Sequence, residues 1–217
     1  MFDIFTKEGL IDTLYFLPAL LIATTIHEFA HAFVAYKLGD DSQKARGRLT
    51  LSPLAHMDPI GLIFILLFRF GWGRPVVIDD RNFKNRGKGT MLVALAGPLS
   101  NVALSIVATI LLKLLDVFGV MTMLSASNIG SIIITMLFYV IQFNMIFAVF
   151  NLLPIPPFDG YKVLYYFLPY KAKQYAEKIE RYSFWILLLL IFTDAYVYLI
   201  QPAYTLLATL ITLILMI

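Results

Sequence analysis

Cysteine is absent from this chain, which excludes disulfides, a thiolate nucleophile and a thiolate metal site, and leaves nitrogen and oxygen as metal ligands. Charge is scarce too. Asp, Glu, Lys and Arg make up 14% of the 217 residues, against about 25% in soluble domains, while 60% are hydrophobic and the mean hydropathy is +0.81. These values describe an integral membrane protein. Histidine is rarer still, with three in the chain, and His27 and His31 stand four positions apart.

Basic residues are missing from most of the chain. Ten of the seventeen fall between Lys37 and Lys88 and five between Lys162 and Arg181, leaving only Lys7 and Lys113 elsewhere. By the positive-inside rule both blocks face the cytoplasm, which reads them as solvated loop charge rather than a nucleic-acid surface and places the N-terminus outside. A secretory signal peptide is rejected, because the first apolar run is too long and lacks a basic start.

Apolar runs at Ile11–Tyr36, Thr90–Leu115 and Gly130–Leu153 predict three spanning helices, with two further apolar helices at Phe184–Ile200 and Ala203–Ile217 separated by a short turn at Pro202. Gly39–Pro59 reads as a cytoplasmic loop. Ile60–Phe70 has eleven residues, too few to cross, and is expected to dip in and return. Val76-Val77-Ile78 within Trp72–Asp80 is expected to be a strand, confined to an edge by Pro75. Lys171–Arg181 reads as a surface helix. Ala94, Ala96, Gly97, Ser100 and Ala103 are small residues that let helices approach closely.

The chemistry sits in the first span, as His27-Glu28-Phe29-Ala30-His31. Residues four apart share a helix face, so both imidazoles can reach one ion with Glu28 beside them, the pattern of a zinc hydrolase. Each ionisable group in such a segment costs about 2.5 to 3.5 kcal/mol on the insertion scale, so three together mark function. At 1.5 Å per residue His27 lies roughly 20 Å below an outer edge at Leu14, about 10 Å from the cytoplasmic edge of a 30 Å core. A catalytic zinc takes three protein ligands and keeps one position open. Topology offers Asp159 as the third, just past Pro154-Ile155-Pro156-Pro157, where the third span must stop. Asp159 could instead cap a helix starting at Gly160.

His56 is left open as a loop-exposed residue, a gate or an extra ligand. Asn101 and Gly97-Pro98 read as helix packing and hydrogen bonding, and Gln142 and Asn144 as hydrogen bonds within the bundle. Asn151 shares a helix face with Asn144.

His27-Glu28-Phe29-Ala30-His31, Ala96-Gly97-Pro98-Leu99-Ser100-Asn101 and Asn151-Leu152-Leu153-Pro154-Ile155-Pro156-Pro157-Phe158-Asp159-Gly160 together resemble the site-2 protease family of intramembrane zinc metalloproteases, over about residues 14 to 165. The resemblance implies that His27, His31 and Asp159 bind one zinc ion, that Glu28 is the catalytic base, and that Asn151 holds the substrate or the oxyanion. It implies transmembrane proteins or peptides as substrates, in regulated intramembrane proteolysis or clearance of signal-peptide remnants, and a minimal prokaryotic member without a PDZ or CBS domain. The expected fold class is thus an all-α polytopic membrane protein in a single domain, 1–217. It has a three-helix catalytic core over about 11–165, two C-terminal apolar helices over about 183–217, and a short re-entrant segment and small β element on the cytoplasmic side. A metal transporter would need polar residues continuing to the outer face, and Leu14 to Ile26 offers only Thr24 and Thr25. A non-catalytic relative would have lost Glu28 or a ligand.

Overall fold

The computed structural model describes residues 6–68, 72–193 and 195–216. The chain folds as helices α1 (Lys7–Lys37), α2 (Ser42–Ala45), α3 (Pro53–His56), α4 (Pro59–Phe68), α5 (Arg86–Val117), α6 (Val120–Ser125), α7 (Asn128–Asn151), α8 (Asp159–Phe167), α9 (Tyr170–Glu180), α10 (Ser183–Phe192) and α11 (Ala195–Met216). Among the described residues, four stretches are long and apolar enough to cross a membrane: Ile11–Lys37, Arg86–Val117, Asn128–Asn151 and Val197–Leu215. Their starts follow from the sequence. Thr6, Asn85 and Ser127 cap α1, α5 and α7, each side chain accepting a first-turn backbone N–H at 3.0–3.1 Å.

Helices α1, α5 and α7 pack against one another, with α8 on α5 and α11 on α5 and α7. Lipid supplies no hydrophobic drive between helices, so close approach of small residues and interhelical hydrogen bonds must hold them. Both are laid out at four-residue spacing. On α1, Ala19, Ala23, His27, His31 and Ala35 form one buried stripe. On α5, Gly89, Val93, Gly97, Asn101, Ser105 and Thr109 form another. Further out, Ala108 and Leu112 meet Ile141, Met145 and Ile211. Below the site, Val149, Leu153 and Phe158 meet Leu190 and Ile200.

The three core spans fall within a few residues of the expected runs, and the C-terminal pair does not. Pro202 lies inside α11, and the interruption comes instead at Thr193, which caps α10. A proline inside a membrane helix is tolerated where its surroundings re-satisfy the freed backbone group. At ten residues α10 is about 15 Å long and too short to cross a bilayer, so the second of the expected pair alone has spanning length.

The polar stretch between α1 and α5 folds back on itself. Asp58 caps α4 through Oδ1, which accepts from Ile60 N at 3.0 Å and Gly61 N at 2.9 Å. The chain then returns so closely that a Cβ on Gly61 would lie 2.0 Å from the Trp72 carbonyl oxygen. Arg69 and Phe70, part of the expected dip, lie outside the described residues. The expected β element reduces, among the described residues, to one antiparallel bridge between Met57 and Gly73. Val76-Val77-Ile78 has no ladder partner; side chains bind its backbone instead. Arg48 donates to the carbonyls of Arg74 and Pro75, Gln43 donates to the Val77 carbonyl, and Asp40 accepts from Asp79 N at 2.7 Å.

Between α7 and α8 the prolines leave an irregular turn, from which α8 starts hard against the end of α7. A Cβ on Gly160 would lie 2.2 Å from the Leu152 carbonyl oxygen. Gly160→Ala is therefore expected to destabilise this junction by about 1–3 kcal/mol, read as a lower melting temperature in detergent. An unchanged melting temperature would show the junction to be loose.

Candidate active site

Four elements converge on one buried point. From α1, His27 Nε2 and His31 Nε2 lie 3.0 Å apart. From the first residue of α8, Asp159 Oδ2 lies 3.1 Å from the first and 3.0 Å from the second. All three residues are buried, at 3%, 7% and 5% exposure. Asp159 is thus turned inward to the histidines, while Phe158 takes the cap position and α8 has no side-chain cap.

From α5 come the partners that set the proton positions. His31 Nδ1 donates to the Val93 carbonyl at 2.7 Å, and a carbonyl can only accept. His27 Nδ1 donates to Asn101 Oδ1 at 2.7 Å. The Asn101 amide cannot be turned the other way, because its NH₂ is committed to Ala23 O at 3.0 Å and Asn144 Oδ1 at 2.7 Å. Asn144 in turn donates to Val140 O at 2.8 Å. With both Nδ1 atoms carrying the proton, each neutral imidazole presents a bare lone pair at Nε2. Three acceptors then face one another with no donor between them, an arrangement that calls for a cation.

The donor set fits zinc. Two nitrogens and a carboxylate oxygen make a three-ligand catalytic set, and tetrahedral bonds of about 2.0–2.1 Å put ligand atoms about 3.3 Å apart, a few tenths wider than found here. The second layer is also in place. Lys162 Nζ reaches the other carboxylate oxygen of Asp159 at 3.3 Å, and a Cβ on Gly97 would lie 2.6 Å from both imidazole rings. Only glycine lets α5 come this close.

Glu28 is half-buried beside His27, and its Oε2 accepts from Val76 N at 2.7 Å. Arg48 anchors the same segment and lies within the electrostatic reach of Glu28. Burial lowers its guanidinium from the ordinary value, and the Glu28 carboxylate acts in the opposite direction. Asn151, at the end of α7, has its side-chain amide turned to its own helix, where it donates to Phe147 O, 2.9 Å away, while the Phe147 ring packs 4.9 Å from that of His27.

His56 is fully buried rather than loop-exposed, with Nε2 bonded to Thr50 O at 2.8 Å. Asn101, read from sequence as packing and hydrogen bonding, bonds His27 itself, Asn144, read as a bundle hydrogen bond, holds Asn101, and Gly97 leaves room for both rings. The four-residue stripe on α5 was the signal that could have tied Gly97 and Asn101 to the histidines.

Residues 15–193 match the profile of Peptidase family M50. The chain belongs to that family. It is 41% identical to YwhC of Bacillus subtilis, a candidate zinc metalloprotease by name, over 87% of this chain and 84% of that protein. Two further candidate zinc metalloproteases are similar. Rip2 of Mycolicibacterium smegmatis is 30% identical over 81% of this chain and 65% of its own, and MJ0611 of Methanocaldococcus jannaschii is 42% identical over 64% and 62%. No solved structure matches the chain. The M50 match bears out the site-2 protease resemblance, and with the four apolar helices it makes this a membrane protein of a zinc metalloprotease family.

In this M50 protein, replacing Asn101 with Leu is expected to weaken zinc affinity by about 10- to 100-fold, the usual effect of losing a ligand's orienting partner. Gly97→Ala should weaken it at least as much while circular dichroism keeps its helical signal. Zinc titration of the purified variants checks both.

Proposed function

We propose that the chain is an intramembrane zinc metalloendopeptidase that hydrolyses peptide bonds in the transmembrane segments of membrane proteins. The observation that carries this reading is the convergence of three buried acceptors next to Glu28 inside a helix of spanning length. In it His27, His31 and Asp159 hold one zinc ion per chain. When bound there, zinc supplies Lewis acidity and lowers the pKa of water from 15.7 to about 7.

The chain's own groups do the rest. Glu28 takes the proton of the attacking water and returns one to the leaving amine. Asn101 and Val93 keep both imidazoles in the tautomer that offers Nε2. Asn151 supports the developing oxyanion once its amide turns off the Phe147 carbonyl.

A peptide bond in a substrate helix is shielded by its own hydrogen bonds, so the substrate must be held extended. The segment around Val76 supports strand addition. Arg48, Gln43 and Asp40 fix one side of it, and Val76 N binds the carboxylate of the base. A substrate strand along Val76–Ile78 would replace the hydrogen bonds lost on unwinding. The basic blocks support an outside N-terminus in the cell membrane, a site nearer the cytoplasm, and α4 as a re-entrant element. Regulated proteolysis or clearance of signal-peptide remnants fits such a substrate class.

Co-expression with single-pass membrane proteins tests the reading. Glu28→Gln is expected to keep its zinc and abolish cleavage, and Asn151→Ala to slow turnover by about 10² to 10³ with zinc content unchanged. Cleavage that persists in Glu28→Gln would sink the assignment.

A further inference from the structure

Arg48 is the one Lys or Arg found buried among the described residues, at 8% exposure. Burying a guanidinium is unfavourable unless hydrogen bonds and an opposite charge compensate for it. Here the hydrogen bonds go to backbone carbonyls on two segments. Nη1 donates to Ala55 O on α3 at 2.5 Å. Nη2 forks onto two consecutive carbonyls of the segment that returns from α4, those of Arg74 and, at 3.3 Å, of Pro75. No carboxylate lies within ion-pair distance of Arg48 among the described residues. The favourable charge comes from Glu28, further off, and Arg74 opposes it.

The route from this cation to Glu28 is a single peptide unit. The Pro75 carbonyl that Arg48 holds and the Val76 N–H that Glu28 Oε2 accepts at 2.7 Å are the two ends of one peptide group. Such a group is planar, and trans at this bond, so its carbonyl and its N–H point in opposite directions and turn together. A cation at the carbonyl end and an anion at the N–H end also align with the peptide's own dipole and strengthen both hydrogen bonds. Pro75 adds stiffness, because its ring fixes φ and it has no N–H for a competing tie. With Oε2 held in this way, Oε1 is the oxygen left to take a proton.

We infer that Arg48 is the positioning residue of the base: through the Pro75–Val76 peptide unit it fixes the orientation of the Glu28 carboxylate. A glutamate side chain is long and free to rotate, and a hydrogen-bonded partner that is itself clamped holds it in one productive geometry. This rests on the proposed protease reading, in which Glu28 takes the proton of the attacking water, and adds to it what aims that carboxylate. Gln43 and Asp40 hold Val77 and Asp79, beyond this peptide unit, so the rest of the segment keeps its anchors when Arg48 is lost.

The test uses the full chain, purified with zinc, in phosphatidylcholine vesicles with a leucine-rich transmembrane peptide as substrate. The variant is Arg48→Met, which keeps the buried stem and loses every donor. Amide hydrogen exchange is read at Val76 and Asp79; Pro75 has no N–H, so the signal between Arg74 and Val77 belongs to Val76 alone. Val76 is expected to exchange as fast as in the Glu28→Ala protein, while Asp79, held by Asp40, keeps its wild-type rate and zinc content is unchanged. In cleavage, kcat is expected to fall about 10²-fold, the loss that a misplacement of about 1 Å can bring, with KM within about threefold of the wild type. Should Arg48→Met fail to fold, Arg48→Lys, which keeps the charge without the planar fork, is expected to show both effects at intermediate size. An unmoved Val76 rate, equal acceleration at Asp79, or a loss confined to KM would overturn the proposal. The expected exchange pattern without cleavage by the wild type would uphold the Arg48 clamp on Glu28 and sink the protease. Cleavage that needs Glu28 but not Arg48 would uphold the protease and overturn the positioning role.

Discussion

Two imidazole nitrogens and a carboxylate oxygen stand 3.0–3.1 Å apart in the buried interior, and with both imidazoles neutral each of the three offers a lone pair. Left so, they would repel one another where no water can screen them. A cation at their centre turns the repulsion into three bonds. Val93 O and Asn101 Oδ1 fix a proton on Nδ1 of each ring, so each neutral imidazole turns its Nε2 lone pair to the cluster.

The rest of the core exists to hold that arrangement still. The α1 stripe from Ala19 to Ala35 carries both histidines among alanines, and the α5 stripe from Gly89 to Thr109 presents Gly97 and Asn101 to them. Larger residues on either stripe would push the helices apart and draw the hydrogen-bonded partners out of reach. From Asn101 the bonds continue through Asn144 to Val140, so all three long core helices are tied to the orientation of one imidazole. Asp159 arrives from outside this trio, and Gly160 lets its helix seat against the end of α7.

What the sequence made legible was local. The spacing of His27 and His31 fixes their common face by helix geometry alone, and the prolines before Asp159 mark where the third span must end. The partners of the histidines were harder to read, since Asn101 lies 74 residues from His27 and Val93 lies 62 from His31; only the way two helix faces meet assigns them. Pro202 was misread because a proline that breaks a helix in water is tolerated inside a membrane helix once local backbone adjustments re-satisfy the freed group. Val76–Ile78 has the composition of a strand, yet what holds it are Gln43, Arg48 and Asp40, 26 to 39 residues away. Side-chain clamps of that kind leave no periodic trace.

The two stretches that join the core spans therefore have unequal roles around one cluster. The segment after α1 carries the backbone that touches Glu28, and the segment after α7 supplies Asp159, the proposed third ligand. The proposed cation would sit between them. The most direct measurement is zinc content together with zinc-edge X-ray absorption of the purified full chain. One zinc per chain, bound by two imidazole nitrogens and carboxylate or water oxygen at about 2.0–2.1 Å, is the expected result. A chain that purifies without metal and melts at the same temperature with added zinc as with a chelator would contradict it.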